Sequence, residues 1–278
     1  MSQPYVTLNN GVRIPQIGFG VFQVPPETTQ SVVERALEAG YRHIDTAAAY
    51  NNEAGVGAAV RASGLPRDQV FITTKLRNGE QGYGSALKAY DDSLARLGLD
   101  YADLYLIHWP NPAADKFVDS WRALERIYHE GRVRAIGVSN FLPEHLDRVL
   151  AEGTVVPAVN QIELHPTYQQ RELASYCQRS SIAVEAYSPL GRGQDLDNPV
   201  VSALADKHGV SPAQVVLRWH LQRGHIVIPK SISPDRIRSN IDLAGFNLTP
   251  EEMASITALE AGNRTGNDPR TFSLSQIR

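Results

Sequence analysis

One feature constrains this chain more than any other: short β-branched runs alternate with segments of helical spacing almost from end to end. Eight runs read as strands, at 17–20, 41–45, 70–75, 104–108, 135–139, 158–162, 183–187 and 226–230. Between them, Val33, Ala36 and Leu37 share a helix face ahead of Gly40, and Leu87, Tyr90, Leu94 and Leu97 recur at helical steps ahead of Gly98. Ser211-Pro212-Ala213-Gln214 reads as a cap followed by proline at the first helical position. Eight strands, each followed by a helix, is the count of an α/β fold of the closed (β/α)8 TIM-barrel type, with strands buried on both faces. An open doubly wound sheet shares the alternation, so the pattern by itself leaves closure undecided.

Ahead of the first strand, 5–8 and 13–15 flank Asn9-Asn10-Gly11, a hairpin signal, and such a hairpin is placed to plug the N-terminal mouth of a barrel. Residues 249–259 read as an extra helix after the eighth unit, and 261–278 as a polar tail without a clear period. No linker composition interrupts the 278 residues, so 1–278 is expected to be a single barrel domain.

Charge and composition remove several classes of function. With 27 Lys and Arg against 30 Asp and Glu, the net charge is −3, which lacks the basic surplus that neutralises nucleic-acid phosphates. No apolar run approaches the roughly 20 residues that span a bilayer. The opening Met1-Ser2-Gln3-Pro4-Tyr5-Val6 has neither a basic head nor an apolar stretch. Cys177 is the single cysteine and cannot form an internal disulfide. The expectation is a cytoplasmic protein with a small-molecule partner, and, without a heptad seam, a monomer.

In barrel enzymes chemistry gathers where the strands end. The second, third and fourth strands end at Asp45, Lys75 and His108, and Tyr50 lies in the loop five residues beyond Asp45. Tyrosine ionises near 10, too high for easy proton exchange at neutral pH, and a neighbouring ammonium favours its phenolate. A carboxylate such as Asp45 would keep a buried Lys75 charged. His108 could hydrogen-bond a carbonyl oxygen beside the phenol. The set suits proton delivery to a carbonyl while hydride arrives from a cofactor.

Each residue alone has a plainer reading. Asp45 could be a helix cap, Tyr50 a packing tyrosine, Lys75 a solvated charge and His108 a core histidine. Their joint placement favours the chemical reading. A second cluster follows the eighth strand: Lys230, Ser231, Arg236 and Asn240, the last two four apart on one helix face. Barrels often bind phosphate there, with Arg236 as a planar fork and Lys230 as a point charge, whereas Arg238 reads as solvated.

Other motifs fail. Gly18-Phe19-Gly20-Val21-Phe22-Gln23 lacks the last glycine of a dinucleotide fingerprint, and His129-Glu130 has Val133 where a zinc helix needs its second histidine, so no metal is expected. No G-x-S-x-G elbow occurs.

The segments 40–47 (Gly-Tyr-Arg-His-Ile-Asp-Thr-Ala), 74–76 (Thr-Lys-Leu), 103–110 (Asp-Leu-Tyr-Leu-Ile-His-Trp-Pro), 136–141 (Ile-Gly-Val-Ser-Asn-Phe), 160–166 (Asn-Gln-Ile-Glu-Leu-His-Pro) and 228–231 (Ile-Pro-Lys-Ser) resemble, in order, the aldo-keto reductases. The resemblance runs from the hairpin to about Glu260 and is strongest to the bacterial branch containing 2,5-diketo-D-gluconate reductases. It implies a tetrad of Asp45, Tyr50, Lys75 and His108, with Tyr50 as general acid. It implies NADPH across the barrel mouth, with Tyr187 stacked on the nicotinamide and Ser139, Asn140 and Gln161 on its carboxamide. Ser188, Leu190 and Gly191 would border the pyrophosphate, Lys230, Ser231 and Arg236 the 2′-phosphate, and Asn240 the adenine.

Where many relatives carry tryptophan in the pocket, this chain has Arg77, which would make the pocket more polar or swing into solvent. Phe22, Trp109, Asn111 and His108 complete the substrate candidates, and short loops after the fourth and seventh strands suggest an open site. The function implied is reduction of small aldehydes, ketones or keto-sugars, including methylglyoxal-type and 2,5-diketo-D-gluconate-type substrates. Two alternatives stay open: an aldolase forming a Schiff base on Lys75, and a cofactor-binding sensor or accessory protein without turnover.

Overall fold

The parallel sheet closes on itself. In the computed structural model, which describes residues 3–274, a hairpin comes first: β1 (Tyr5–Thr7) runs antiparallel to β2 (Arg13–Pro15). Eight parallel strands follow in chain order: β3 (Phe19–Gly20), β4 (His43–Asp45), β5 (Phe71–Leu76), β6 (Ala102–Ile107), β7 (Val133–Ser139), β8 (Val159–Glu163), β9 (Ala183–Tyr187) and β10 (Ile226–Val227). The last returns to the first. Gly18 N–H donates to the Val227 carbonyl at 2.7 Å, Val227 N–H to the Gln16 carbonyl at 2.9 Å, and Gly20 N–H to the Pro229 carbonyl at 3.2 Å. An open sheet would leave two unpaired edges there, so the doubly wound alternative is excluded. A Cβ at Gly18 would sit 2.5 Å from the His43 ring, which is why the seam carries glycine.

Strand limits differ from the sequence pattern for identifiable reasons. The eighth barrel strand ends at Val227 rather than 230: Pro229 has no N–H to donate, although its carbonyl still accepts from Gly20, so Lys230 stands three residues past the strand. The second starts at His43 rather than 41, because Tyr41 N–H donates to Ala36 O and belongs to the preceding helix end.

The helices are α1 (Pro26–Glu38), α2 (Glu53–Ala62), α3 (Tyr83–Leu97), α4 (Phe117–His129), α5 (Pro143–Glu152), α6 (Arg171–Arg179), α7 (Pro199–His208), α8 (Pro212–Gln222), α9 (Pro234–Ile241) and α10 (Pro250–Thr257). Ser211 caps α8 and Thr249 caps α10, each reciprocated by the side chain three residues on, Gln214 or Glu252. Gly98 ends α3 at φ +62°, where a side chain would be strained. The interval from β9 to β10 holds two helices, not the expected one. Only Val201 and Ala205 of α7 are buried, too narrow a stripe to announce a helix by its period.

The barrel lumen changes character along its axis. At the N-terminal end Leu8 and Ile14, on and beside the hairpin, pack against Phe71, Leu104, Leu106, Ala135, Ala158, Val159 and Ile226, so the hairpin plugs that mouth as expected. Toward the other end His43, Asp45, Lys75, Gln161 and Glu185 are all buried. A period of two along each strand brings these side chains to one side of the sheet.

The described part of the tail is a strap. Ala261 and Asn263 N–H groups donate to Thr167 O, the Phe272 ring packs 4.4 Å from Trp109, and Asn78 Nδ2 donates to Leu274 O at 3.0 Å. The strap is irregular and held by individual hydrogen bonds, so it has no period to detect. Residues 1–2 and 275–278, which belong to the chain-start and tail readings, lie outside the described residues. No helix among the described residues is long and apolar enough to cross a membrane.

Candidate active site

Parallel register brings the strand-end residues together. Asp45 is the last residue of β4, and Lys75 lies one residue before the end of β5. Lys75 Nζ donates to Asp45 Oδ1 at 2.6 Å, to the Thr46 carbonyl at 2.9 Å and to the Tyr50 hydroxyl at 3.3 Å. Those three bonds use all the donors of an ammonium. The loop after β4 makes a single 3-10 turn at Ala48–Tyr50, closed by Asn51 at φ +57°, and this returns the Tyr50 ring over the lysine. Asn52 Nδ2 donates to Val21 O and Val24 O, fixing that loop against the end of the first barrel strand. His108 follows β6 directly, and its ring meets Tyr50 edge-on at 5.5 Å. Phe22 lies on Tyr50 as well, at 5.1 Å.

The plainer readings of three of these do not hold. Asp45 caps no helix; Asn52 stands at the start of α2. Lys75 is fully buried rather than solvated, and His108 is buried with Nδ1 lacking any protein partner. Burial alone would strip the Lys75 proton, but Asp45 and Tyr50 outweigh it and raise the ammonium above its ordinary value. A Schiff base needs a neutral amine, so the aldolase reading fits this lysine poorly. Burial raises Tyr50 above the usual phenol range more strongly than Lys75 lowers it, a correction to the expectation that the ammonium would dominate. Burial, helped by Lys75, pushes His108 well below the usual imidazole value, so its ring is neutral. The arrangement therefore presents a protonated phenol and a neutral imidazole side by side.

Beneath this group lies a carboxylate that motif reading missed. Gln161 Nε2 donates both to Asp45 Oδ2 at 2.8 Å and to Glu185 Oε2 at 2.9 Å. Glu185 is the middle residue of β9, paired in register with Gln161 on β8. A charged residue inside an otherwise apolar run, Ala183-Val184-Glu185-Ala186, was the available signal.

Candidate cofactor residues line the same end of the barrel. Ser139 Oγ donates to Gln161 O at 2.8 Å, Asn140 Nδ2 to His108 O at 3.0 Å, and the Tyr187 hydroxyl to Asn140 Oδ1 at 2.8 Å. Ser139, Asn140, Gln161 and Tyr187 thus form one hydrogen-bonded wall beside His108. Ser188 at φ +47° and Gly191 at φ +56° turn the backbone after β9 around Leu190. Further round, Lys230 and Arg236 are both exposed, and neither has a carboxylate within 4.0 Å among the described residues. Ser231 and Asn240 are buried beside them. Two unmatched cations over buried polar groups suit a phosphate dianion. Arg238 pairs loosely with Asp235 at 3.5 Å in solvent, as expected of a surface charge.

The substrate candidates divide. Trp109 and Asn111 are buried in the loop after β6, with the Trp109 carbonyl accepting from Gln81 Nε2. Arg77 neither points into a pocket unpaired nor swings free: its guanidinium donates to Glu80 at 2.6 Å. The mouth is less open than short loops suggested, because Phe272 of the strap covers Trp109. Among the described residues no cluster of three or more His, Cys, Asp or Glu has metal-binding geometry.

Residues 16–261 match the model of the "Aldo/keto reductase family". The chain is 54% identical over 272 residues to an aldo-keto reductase of Mycolicibacterium smegmatis, covering 98% of this chain and 99% of that one. It is 51% identical to the glyoxal reductase of Bacillus subtilis, over 95% of each chain. Among solved structures, a mutant of Gox0644 in complex with NADPH superposes with a TM-score of 0.95 at 45% identity, over 99% of this chain and 100% of that one.

Proposed function

This chain belongs to the aldo/keto reductase family, and from that premise we propose that it reduces small aldehydes and ketones with NADPH, Tyr50 delivering the proton. One observation carries the reading: Lys75 commits its three donors to Asp45, Thr46 and Tyr50, fixing the phenol oxygen so that its own proton is directed elsewhere. The unmatched cations Lys230 and Arg236 fit the 2′-phosphate, which favours NADPH over NADH. Ser139, Asn140, Gln161 and Tyr187 would hold the nicotinamide end, and Ser188, Leu190 and Gly191 the pyrophosphate. NADPH, when bound, supplies the hydride.

The chain's own residues do the rest. His108, neutral and beside Tyr50, donates a hydrogen bond to the substrate oxygen and orients it. Tyr50, still protonated at neutral pH, gives its proton to that oxygen as negative charge develops there. Lys75 then stabilises the phenolate left behind, with Asp45 holding the ammonium charged. Phe22 and Trp109 offer apolar walls for a small carbonyl compound, and Arg77, tied to Glu80, lies at the edge. The likeness to a glyoxal reductase supports compact dicarbonyls as first substrates; keto-sugar acids come next.

The test is loss of reduced-nicotinamide absorbance with NADPH or NADH over a panel of methylglyoxal, an aromatic aldehyde, a diketone and a keto-sugar acid. Turnover with NADPH exceeding that with NADH is expected. Tight NADPH binding with no turnover on any member would replace this reading with that of a cofactor-binding sensor.

A further inference from the structure

We propose that Glu185 sets the pH range of the proton transfer: hydrogen-bonded to Gln161 and without a cation of its own, it shares the single Lys75 ammonium with Asp45 beneath Tyr50. The inference rests on Tyr50 being the proton donor.

The geometry shows a carboxyl group in a place where a second negative charge has no cation of its own. Glu185 is fully buried in the lumen. Its Oε2 shares one amide group, Gln161 Nε2, with Asp45 Oδ2. Its Oε1 has no hydrogen-bond partner. Facing it from β4 are Asp45 and His43, whose Nε2 is 3.6 Å from Oε1 and 3.1 Å from Thr73 Oγ1. From β5 come Thr73 and Lys75, from β8 Gln161, and the register partner on β10 is the apolar Ile226. One ammonium therefore stands against two carboxyl groups, and it touches Asp45. Burying an unmatched carboxylate is costly, so the proton goes to the group without the cation.

Burial, reinforced by the Asp45 charge, raises Glu185 to about 8, while burial drops His43 to about 3, so His43 offers no compensating positive charge. Once ionised, Glu185 raises Tyr50 further and makes its phenolate harder to form. Alcohol oxidation, the reverse reaction, needs that phenolate. The charge state of Glu185 thus acts on Tyr50 through its electric field, without touching substrate.

The experiment compares wild type with Glu185→Gln, neutral at every pH, and with Glu185→Met as a second neutral side chain of similar length. Alcohol oxidation with NADP is followed from pH 6 to 10. The ratio of variant to wild-type rate should be flat below pH about 8 and should rise about threefold or more above it, a like-charge effect on Tyr50 of roughly half a pH unit. Melting temperature gives a readout independent of turnover. A carboxyl raised from 4.5 to about 8 on folding costs stability as pH rises through that window, so the variants should gain on wild type across it. A rate ratio constant with pH, or variants that cannot fold at neutral pH, would overturn the proposal. Wild type without cofactor-dependent turnover would instead overturn the reductase reading, and the melting comparison would still judge Glu185.

Discussion

Two buried ionic clusters meet along strand β8, two residues apart, and they are built in opposite ways. Gln161 belongs to the Lys75 cluster, where one ammonium faces Asp45 and Glu185 and several polar atoms lack partners. Glu163 belongs to the other. There His165 donates to Glu163 Oε1 at 3.2 Å or to Asp195 Oδ2 at 2.8 Å, and both bonds form when the ring is charged. Glu163 also accepts from Thr265 N–H, Thr265 Oγ1 and Gly266 N–H at 2.6, 2.7 and 2.8 Å, and Asp195 accepts from Thr167 Oγ1. Burial opposes charge in both clusters. In the second, hydrogen bonds overcome it: Glu163 falls to about 2 and His165 rises to about 9. Satisfied charges fasten the strap and the turn 191–197 to the barrel. Unsatisfied ones sit where protons are proposed to move.

The contrast breaks most sharply at Lys75. Lys75→Met should lower turnover by about a hundredfold or more. It should also destabilise the fold by about 3–5 kcal/mol, since Asp45 is left buried without its partner. Adding Asp45→Asn should restore melting temperature without restoring rate. Recovery of both would make this cluster structural.

His165 supplies the next largest effect. A histidine raised from 6.5 to about 9 on folding adds stability that is fully present below pH 6.5 and is lost as pH rises through about 9. That amounts to about 3 kcal/mol. Denaturant unfolding at several pH values should show the loss in wild type and not in His165→Gln; parallel curves would contradict the ion pair. Glu163 works at the acid end, its contribution present above 4.5 and lost as pH falls toward about 2.

Gly266→Ala is smaller again. Its Cβ would lie 2.7 Å from Glu163 Oε2, a carboxylate pinned on all sides, so about 1–2 kcal/mol should be lost. Proteolysis after Thr265 should quicken in parallel. The smallest effect belongs to Arg77→Ala, which removes only a partly exposed pair with Glu80 and should change stability by less than about 1 kcal/mol. If it nonetheless changed the preference for anionic over neutral carbonyls, Arg77 would face substrate in solution.

Much of the barrel was legible in the sequence because burial on both faces writes continuous apolar runs, and glycine or proline punctuates them. Asp45, Lys75 and His108 were legible because they stand where those runs stop. Glu185 was not, since it lies mid-strand and its meaning depends on Gln161, a neighbour set by register rather than by spacing. The strap shows in the sequence only as a polar tail, because hydrogen bonds from Thr265 and Gly266 to a residue 102 or 103 positions away leave no local signature. Helix α7 escaped for a different reason: two buried residues do not make a stripe.

Tyr50→Phe separates proton supply from cofactor binding most directly, with NADPH affinity measured by fluorescence titration and carbonyl reduction measured on the same preparation. If Tyr50 supplies the proton from a site that binds NADPH independently of it, affinity should stay within about threefold of wild type and turnover should fall by about a hundredfold or more. Turnover close to that of wild type in this variant would contradict that role.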